Sequence, residues 1–217
     1  MNVRVLIADD HAVVRQGLRA LIESRTDMSV VVEAENGRMA VQMAREFSPH
    51  VVVMDITMPD MNGIEATRQI VRSVKRAKVV ALSMHSERRL VIEMLRAGAS
   101  AFVLKEYAFD ELLNAIHSAL ADRKYLSPKL VGIMVDDYAR KGFPGDPSPA
   151  SALTAREREV LQLLAEGATM RGISTKLHVS IKTIETHRKN VMLKLKTHSI
   201  AELTKHAIRE GLTSLDS

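Results

Sequence analysis

Two hydrophobic patterns alternate along the first 122 residues of the chain. Short apolar runs such as Val51-Val52-Val53-Met54 are typical of strands buried on both faces of a parallel sheet. The longer segments between them carry apolar residues at helical spacing, so the pattern predicts βαβ units. The predicted strands are Val3–Ala8, Ser29–Glu33, His50–Met54, Lys78–Ser83 and Ala101–Leu104, and the predicted helices are His11–Ser24, Gly37–Phe47, Ile64–Ser73, Glu87–Ala97 and Phe109–Ala121.

Five strands and five helices complete a doubly wound α/β domain with a five-stranded parallel sheet of the flavodoxin-like kind. We assign this domain to residues 1–122 and a linker to residues 123–150. Ser127 followed by Pro128 predicts the start of a linker helix, which we place at residues 128–140. Proline and glycine between Gly142 and Pro149 prevent a helix from continuing and indicate the domain boundary.

Residues 151–217 predict a separate all-α domain of four helices. Thr154 and Glu157 form a capping box at the start of the first helix, and Gly167 ends it. A short link at His178-Val179, followed by the N-cap Ser180, gives the second and third helices the spacing of a helix-turn-helix. The last three helices are predicted at about Met170–Leu177, Ser180–Lys196 and Ile200–Glu210.

Composition narrows the class of protein. Apolar residues make up 46% of the chain and charged residues 26%, as in soluble globular proteins. The chain has no cysteine, which excludes disulfides and thiolate chemistry. Because it has neither a membrane-length apolar run nor a signal peptide at its start, we expect a cytoplasmic protein without membrane association.

Positive charge is concentrated at the C-terminal end. Of the formal net charge of +5, residues 151–217 contribute +4, residues 123–150 contribute +2 and residues 1–122 contribute −1. A basic small domain suggests a polyanion partner such as nucleic acid, although a charge of this size also occurs on ordinary solvated surfaces.

Ionisable residues follow the predicted strands where those strands end. Asp9 and Asp10 follow the first strand, Asp55 the third and Lys105 the fifth, while Ser83 ends the fourth. The carboxyl ends of parallel strands share one edge of a sheet, where carboxylates can bind Mg²⁺. Asp55 is the candidate nucleophile toward phosphorus, and Lys105 can pair with the phosphoryl oxygens. Each residue alone has an ordinary explanation as a turn former, helix cap or solvated charge, but their combination favours a site.

Residues 1–122 resemble a CheY-like receiver domain of two-component signalling. The resemblance rests on the acids and the lysine just named, on Ser83, and on two further segments, Met58-Pro59-Asp60-Met61-Asn62-Gly63 and Ala97-Gly98-Ala99. It implies that Asp55 accepts a phosphoryl group from a sensor histidine kinase. Glu106 stands where proline is common in the family.

The same resemblance implies a cofactor and a switch. Mg²⁺ would be held by Asp9, Asp10, Asp55 and the backbone carbonyl of Thr57. Ser83 and Phe102 correspond to the switch pair of the family, in which the hydroxyl turns to the phosphoryl group and the aromatic ring packs inward.

The third helix of the C-terminal domain carries the candidate DNA-reading residues, because its first turns are the part that enters a major groove. By pattern alone, the same residues also fit the solvated face of a helical bundle. The segments Leu153–Leu161, Ala165–Gly167, Ser180–Arg188 and Lys194-Leu195 resemble the LuxR-type helix-turn-helix. The implied DNA contacts are Lys182, Thr183, Glu185, Thr186, His187, Arg188 and Lys189.

Together, the two resemblances identify the chain as a member of the NarL/FixJ family of response regulators. They imply a regulator, not an enzyme, that binds promoter DNA under control of phosphorylation at Asp55 and forms a homodimer on phosphorylation or DNA binding. Two alternatives stay open: a phosphohydrolase that forms an aspartyl-phosphate, and a regulator that acts through protein contacts only. Against the first, Thr57 stands where phosphatases of the haloacid dehalogenase type place a second aspartate.

Overall fold

A computed structural model describes residues 2–141 and 153–213. The chain divides into two compact units, residues 1–142 and 143–217. The boundary segment expected between Gly142 and Pro149 lies outside the described residues. None of the helices in the described ranges combines the length and the apolar character needed to cross a membrane.

The N-terminal unit is built on a parallel sheet with strand order β2-β1-β3-β4-β5-β6. The strands are β1 (Val3–Ala8), β2 (Met28–Ala34), β3 (Val51–Asp55), β4 (Lys78–Ser83), β5 (Ala101–Leu104) and β6 (Tyr125–Leu126). The helices are α1 (Ala12–Glu23), α2 (Gly37–Phe47), α3 (Gly63–Ser73), α4 (Arg88–Ala97), α5 (Ala108–Leu120) and α6 (Pro128–Lys141), with a 3-10 turn at Lys105–Tyr107.

The prediction of a five-stranded sheet is wrong by one strand. β6 pairs in parallel with β5, with Tyr125 opposite Ala101 and Leu126 opposite Phe102. Two residues are too few to produce the apolar run or the alternation that identifies a strand. The sixth strand therefore exists only because the linker returns to the sheet edge, and the sequence pattern could not predict it.

Apolar side chains pack on both faces of the sheet. Residues such as Leu6, Val52 and Phe102 lie in one core with α2, α3 and α4. Their neighbours along the strands, such as Val5 and Val53, lie in a second core with α1 and α5. This double burial explains why the strands have unbroken apolar runs. The strand order places the ends of β1, β3 and β4 side by side.

The C-terminal unit contains α7 (Ala155–Ala165), α8 (Met170–Leu177), α9 (Ile181–Leu195) and α10 (Ile200–Arg209), which share one apolar core. The Thr154 side chain accepts a hydrogen bond from the Glu157 amide at 3.2 Å, and the Glu157 carboxylate accepts one from the Thr154 amide at 2.7 Å. The capping box expected from the sequence is therefore present. Gly167 has φ of +80°, which favours glycine and ends α7.

Candidate functional site

Acidic side chains meet at the carboxyl ends of β1 and β3. Ligand atoms of Asp9, Asp10, His11 and Asp55 all lie within 4.8 Å of one another. Asp9 and Asp55 are buried, whereas Asp10 and His11 are exposed. His11 pairs with Asp10 at 2.7 Å, and its amide donates to Asp9 at 2.9 Å. Three carboxylates in so small a volume form an acidic cluster of the kind that binds Mg²⁺ in response regulators.

Lys105 connects the buried acids. Its Nζ lies 2.7 Å from Asp55 Oδ2 and 2.7 Å from Asp9 Oδ2. The ammonium group thus forms a close ion pair with each carboxylate, and the pair with Asp55 is also a hydrogen bond. Burial opposes the charge of the lysine, but the two carboxylates outweigh it and raise the pKa of Lys105 above its ordinary value.

Burial dominates the electrostatics of Asp55. Desolvation raises the pKa of Asp55 to about 6. The attraction of Lys105 only partly offsets this rise, and the negative charge of Asp9 adds to it. Ionised Asp55 is therefore costly among these side chains. A divalent cation would offset this excess of negative charge, and the three clustered carboxylates offer it hard oxygen ligands. The side chains present thus fit Mg²⁺.

The strand ladder places the remaining predicted site residues around Asp55. Asp55 pairs with Leu82, and the next residue, Ser83, pairs with Leu104 just before Lys105. The Ser83 hydroxyl accepts a hydrogen bond from the His85 amide at 3.0 Å, and the Thr57 amide lies 3.4 Å from Asp55 Oδ1. Phe102 is fully buried in the core. The structure therefore brings the predicted site residues together at the carboxyl ends of the strands: Asp9, Asp10, Asp55, Thr57, Ser83 and Lys105.

Gly63 permits the loop after β3 to fold back against the strand. Its amide donates to the carbonyl of Ile56 at 2.8 Å. A Cβ atom at position 63 would lie only 1.9 Å from the Asp55 carbonyl oxygen. The glycine in the segment that follows Asp55 is thus required by close approach of two backbones.

Arg15 supports the site from α1 and was not among the predicted residues. Its guanidinium donates to the Asp9 carbonyl at 2.7 Å and pairs with Glu33 at 3.2 Å and with Glu35 at 3.0 Å. The side chain is only 9% exposed. A single arginine on an amphipathic helix gives no sequence signal of this role, because its partners come from a different strand.

The predicted DNA contacts lie on α9. The Ser180 hydroxyl accepts from the Thr183 amide at 3.1 Å and caps the helix. Ile184, Val191 and Leu195 are buried, which turns the opposite side of α9 to solvent. Lys182, Glu185, Thr186 and Lys189 are exposed, whereas Thr183, His187 and Arg188 are partly buried.

Two families match the chain. The family described as "Response regulator receiver domain" matches residues 5–117. The family described as "Bacterial regulatory proteins, luxR family" matches residues 151–207. The chain belongs to the NarL/FixJ family of response regulators.

Curated relatives span almost the whole length of this response regulator. It is 36% identical to the transcriptional regulatory protein LiaR of Bacillus subtilis, over 98% of this chain and 100% of that protein. It is also 36% identical to the response regulator GacA of Pseudomonas protegens, over 97% of each chain. The response regulator is therefore a two-component transcriptional regulator, and the phosphohydrolase alternative is not favoured.

Solved structures agree with this assignment. A LuxR-family response regulator from Aurantimonas sp. SI85-9A1 is 37% identical, with a TM-score of 0.62, and covers 64% of this chain and 99% of that chain. The response regulator RcsB in complex with DNA is 27% identical, with a TM-score of 0.60, over 97% of this chain and 99% of that chain. A second RcsB structure, described as two dimers bound to two parallel DNAs, is 28% identical and has a TM-score of 0.60 over 97% of this chain and 99% of that chain.

Proposed function

We propose that a phosphoryl group on Asp55 controls the binding of promoter DNA by residues 151–217. The observation that supports this proposal most directly is the contact between Asp55 and Lys105: the Asp55 carboxylate lies 2.7 Å from Lys105 Nζ, within an acidic cluster. In this proposal, residues 1–122 receive the signal and residues 123–150 link the two functions.

The chemistry proposed at Asp55 is phosphoryl transfer from a sensor histidine kinase. A carboxylate oxygen of Asp55 attacks the phosphorus, the bond from phosphorus to the kinase histidine nitrogen breaks, and an aspartyl-phosphate forms. Lys105 then pairs with a phosphoryl oxygen. Asp9, Asp10, Asp55 and the carbonyl of Thr57 would hold Mg²⁺, which when bound neutralises charge on the phosphoryl oxygens.

The response to phosphorylation is proposed to begin at Ser83 and Phe102. The Ser83 hydroxyl, which accepts from the His85 amide, turns to the phosphoryl group. The buried ring of Phe102 keeps its inward position when this happens. The modification thus shifts an equilibrium between two existing conformations of the unit.

The DNA interface is proposed on the exposed side of α9. Lys182, Thr183, Arg188 and Lys189 would contact phosphates, while Glu185, Thr186 and Lys189 are placed to meet base edges. His187 also lies in the first turns of this helix. The Thr186 hydroxyl donates to the Lys182 carbonyl at 2.9 Å, so it can accept from a base while it keeps this bond, but it must give the bond up to donate to one. Pairing of two copies would present two such helices to paired half-sites, and the α10 helix is the proposed contact.

The variant Asp55→Asn tests the proposed function. A small phosphodonor such as phosphoramidate should tighten promoter binding by the wild-type protein and leave binding by the variant unchanged. Binding is measured by titration of labelled promoter DNA at fixed salt. If the donor strengthens binding by Asp55→Asn as much as by the wild type, control by Asp55 is excluded. If neither form binds DNA in a salt-sensitive way, the regulator acts through protein contacts only.

A further inference from the structure

The segment that leads out of the N-terminal unit is bound along the whole of β5. The Tyr125 amide donates to the Ser100 carbonyl at 3.2 Å, and the Ser127 amide donates to the Phe102 carbonyl at 3.0 Å. The Leu104 amide in turn donates to the Ser127 hydroxyl at 3.2 Å. The linker thus holds the strand that contains Phe102 and ends directly before Lys105.

A second contact lies on the other side of Lys105. Glu106 pairs with Lys129 of α6 at 2.7 Å, and Lys129 Nζ also lies 5.5 Å from the centre of the Tyr107 ring. The two residues that flank Lys105 in the chain are therefore both bound by the linker, Leu104 through Ser127 and Glu106 through Lys129. Proline in place of Glu106 could not make this ion pair.

Burial shows that the start of α6 is part of the unit's core. Ser127 and Leu130 are fully buried, and Leu130 lies in the same apolar core as Phe102. The Ser127 hydroxyl donates to the carboxylate of Glu111 in α5. A shift of β5 or of the following turn would therefore break buried contacts at the first turn of α6 unless the helix moved as well.

We infer that Ser127 and the Glu106–Lys129 pair are positioning residues that couple Lys105 to helix α6. Formation of the aspartyl-phosphate changes the partner of Lys105 from a carboxylate to a phosphoryl group. The two linker contacts transmit the resulting adjustment of residues 102–106 to α6, which precedes the DNA-binding residues in the chain. This inference rests on the proposed function, because it concerns how the same phosphoryl group is sensed.

Charge exchange between Glu106 and Lys129 tests the coupling without disturbing buried residues. The measured quantity is the ratio of promoter affinity with phosphoramidate to affinity without it. Glu106→Lys and Lys129→Glu alone should each lower this ratio by about two- to fivefold, the range expected for a surface ion pair. The double variant Glu106→Lys/Lys129→Glu should restore the ratio. A merely structural role of the pair would change the free energy of unfolding in the single variants and leave this ratio at the wild-type value.

Lys78→Glu is the matched control for these variants. Lys78 also forms a long-range ion pair, with Asp122, but at the start of β4, far along the strand from the site. This variant should leave the ratio unchanged. Intact mass measures the extent of phosphorylation in every variant, and it should equal that of the wild type.

Ser127→Ala tests the buried half of the coupling. It removes the hydroxyl that accepts from Leu104, and we expect the affinity ratio to fall about tenfold, because a buried amide loses its partner. Ser73→Ala removes a solvent-side hydroxyl that donates to the Gln69 carbonyl at 2.8 Å and should leave the ratio unchanged. A ratio that stays at the wild-type value in Ser127→Ala and in both charge variants, with normal phosphorylation, overturns the inference.

Hydrogen exchange of the α6 amides separates this inference from the proposed function. Phosphorylation should change exchange in α6 of the wild type and change it less in Lys129→Glu. If wild-type promoter affinity does not respond to phosphorylation, the proposed function fails, and the exchange result still decides the coupling. Exchange in α6 that is the same before and after phosphorylation of the wild type overturns the coupling itself.

Discussion

Asp55 is surrounded by charge of its own sign. Asp9 and Asp10 contribute to the raised pKa of Asp55, and Lys105 is shared between two carboxylates. An ionised carboxylate whose pKa rises on folding lowers the stability of the folded state above that pKa. The proposed phosphoacceptor site therefore opposes folding unless a cation or a proton is bound.

We predict that Asp55→Asn stabilises the metal-free protein. At pH 8 the gain should be about 2 to 3 kcal/mol, which corresponds to the rise of the Asp55 pKa from 3.8 to about 6. The gain should shrink as the pH falls below about 6, because protonation then relieves the same cost in the wild type. Thermal unfolding with and without Mg²⁺ measures it. Mg²⁺ should raise the midpoint of the wild type more than that of the variant, and equal shifts would contradict the assigned ligands.

Gly63→Ala should be strongly destabilising. The added Cβ would lie 1.9 Å from the Asp55 carbonyl oxygen, so the loop after β3 must move away from the strand. We expect a loss of about 3 kcal/mol in the free energy of unfolding. Denaturant unfolding measures the loss. A variant as stable as the wild type would mean that the loop accommodates the methyl group without strain.

Elements that carry a complete pattern of their own were predicted well. The β4 and β5 strands occupy the predicted residues, and the capping box begins α7 where Thr154 and Glu157 indicate. β6 and the contacts of Ser127 were missed, because their stabilisation comes from β5 and α5 and not from neighbouring residues. The same is true of Arg15, because its partner Glu33 lies in β2 and its partner Glu35 directly follows that strand.

Gly132→Ala tests whether α6 is part of the folded unit. Gly132 lies within α6, and among the described residues no atom outside the adjacent helix backbone lies within 4 Å of the position where its Cβ would be. Alanine should stabilise the N-terminal unit by about 0.5 to 1 kcal/mol, through its better helix propensity. Denaturant unfolding of the full chain measures the gain. No change would mean that α6 unfolds separately, and it would also argue against coupling through Ser127.

At the scale of the whole molecule, the two units have different electrostatic character. Residues 1–122 have a net charge of −1 and an acidic site, whereas residues 151–217 have a net charge of +4 and an exposed basic helix face. This division suits the proposed function, in which the first unit would bind a cation and a phosphoryl group and the second a polyanion.

We predict that promoter binding depends steeply on salt. Lys182, Arg188 and Lys189 supply three cations, so the logarithm of the affinity should fall with the logarithm of salt concentration with a slope of about −3 for each bound protomer. Lys182→Ala should make the slope less steep by about 1. Lys75→Ala removes the same charge from the N-terminal unit and should leave the slope unchanged. Equal slopes for all three proteins would exclude Lys182 as a phosphate contact.

The sequence by itself determined the α/β character of the first part, the helical character of the second, and the residue types of the site. It did so because hydrophobic periodicity, caps and the residues at strand ends are local signals. Only the tertiary structure decided that Lys105 pairs with both Asp9 and Asp55, that Gly63 must lack a side chain, and that the linker adds a strand and binds both neighbours of Lys105. Each of these depends on contacts between residues far apart in the chain, and such contacts leave no periodic pattern in a single sequence.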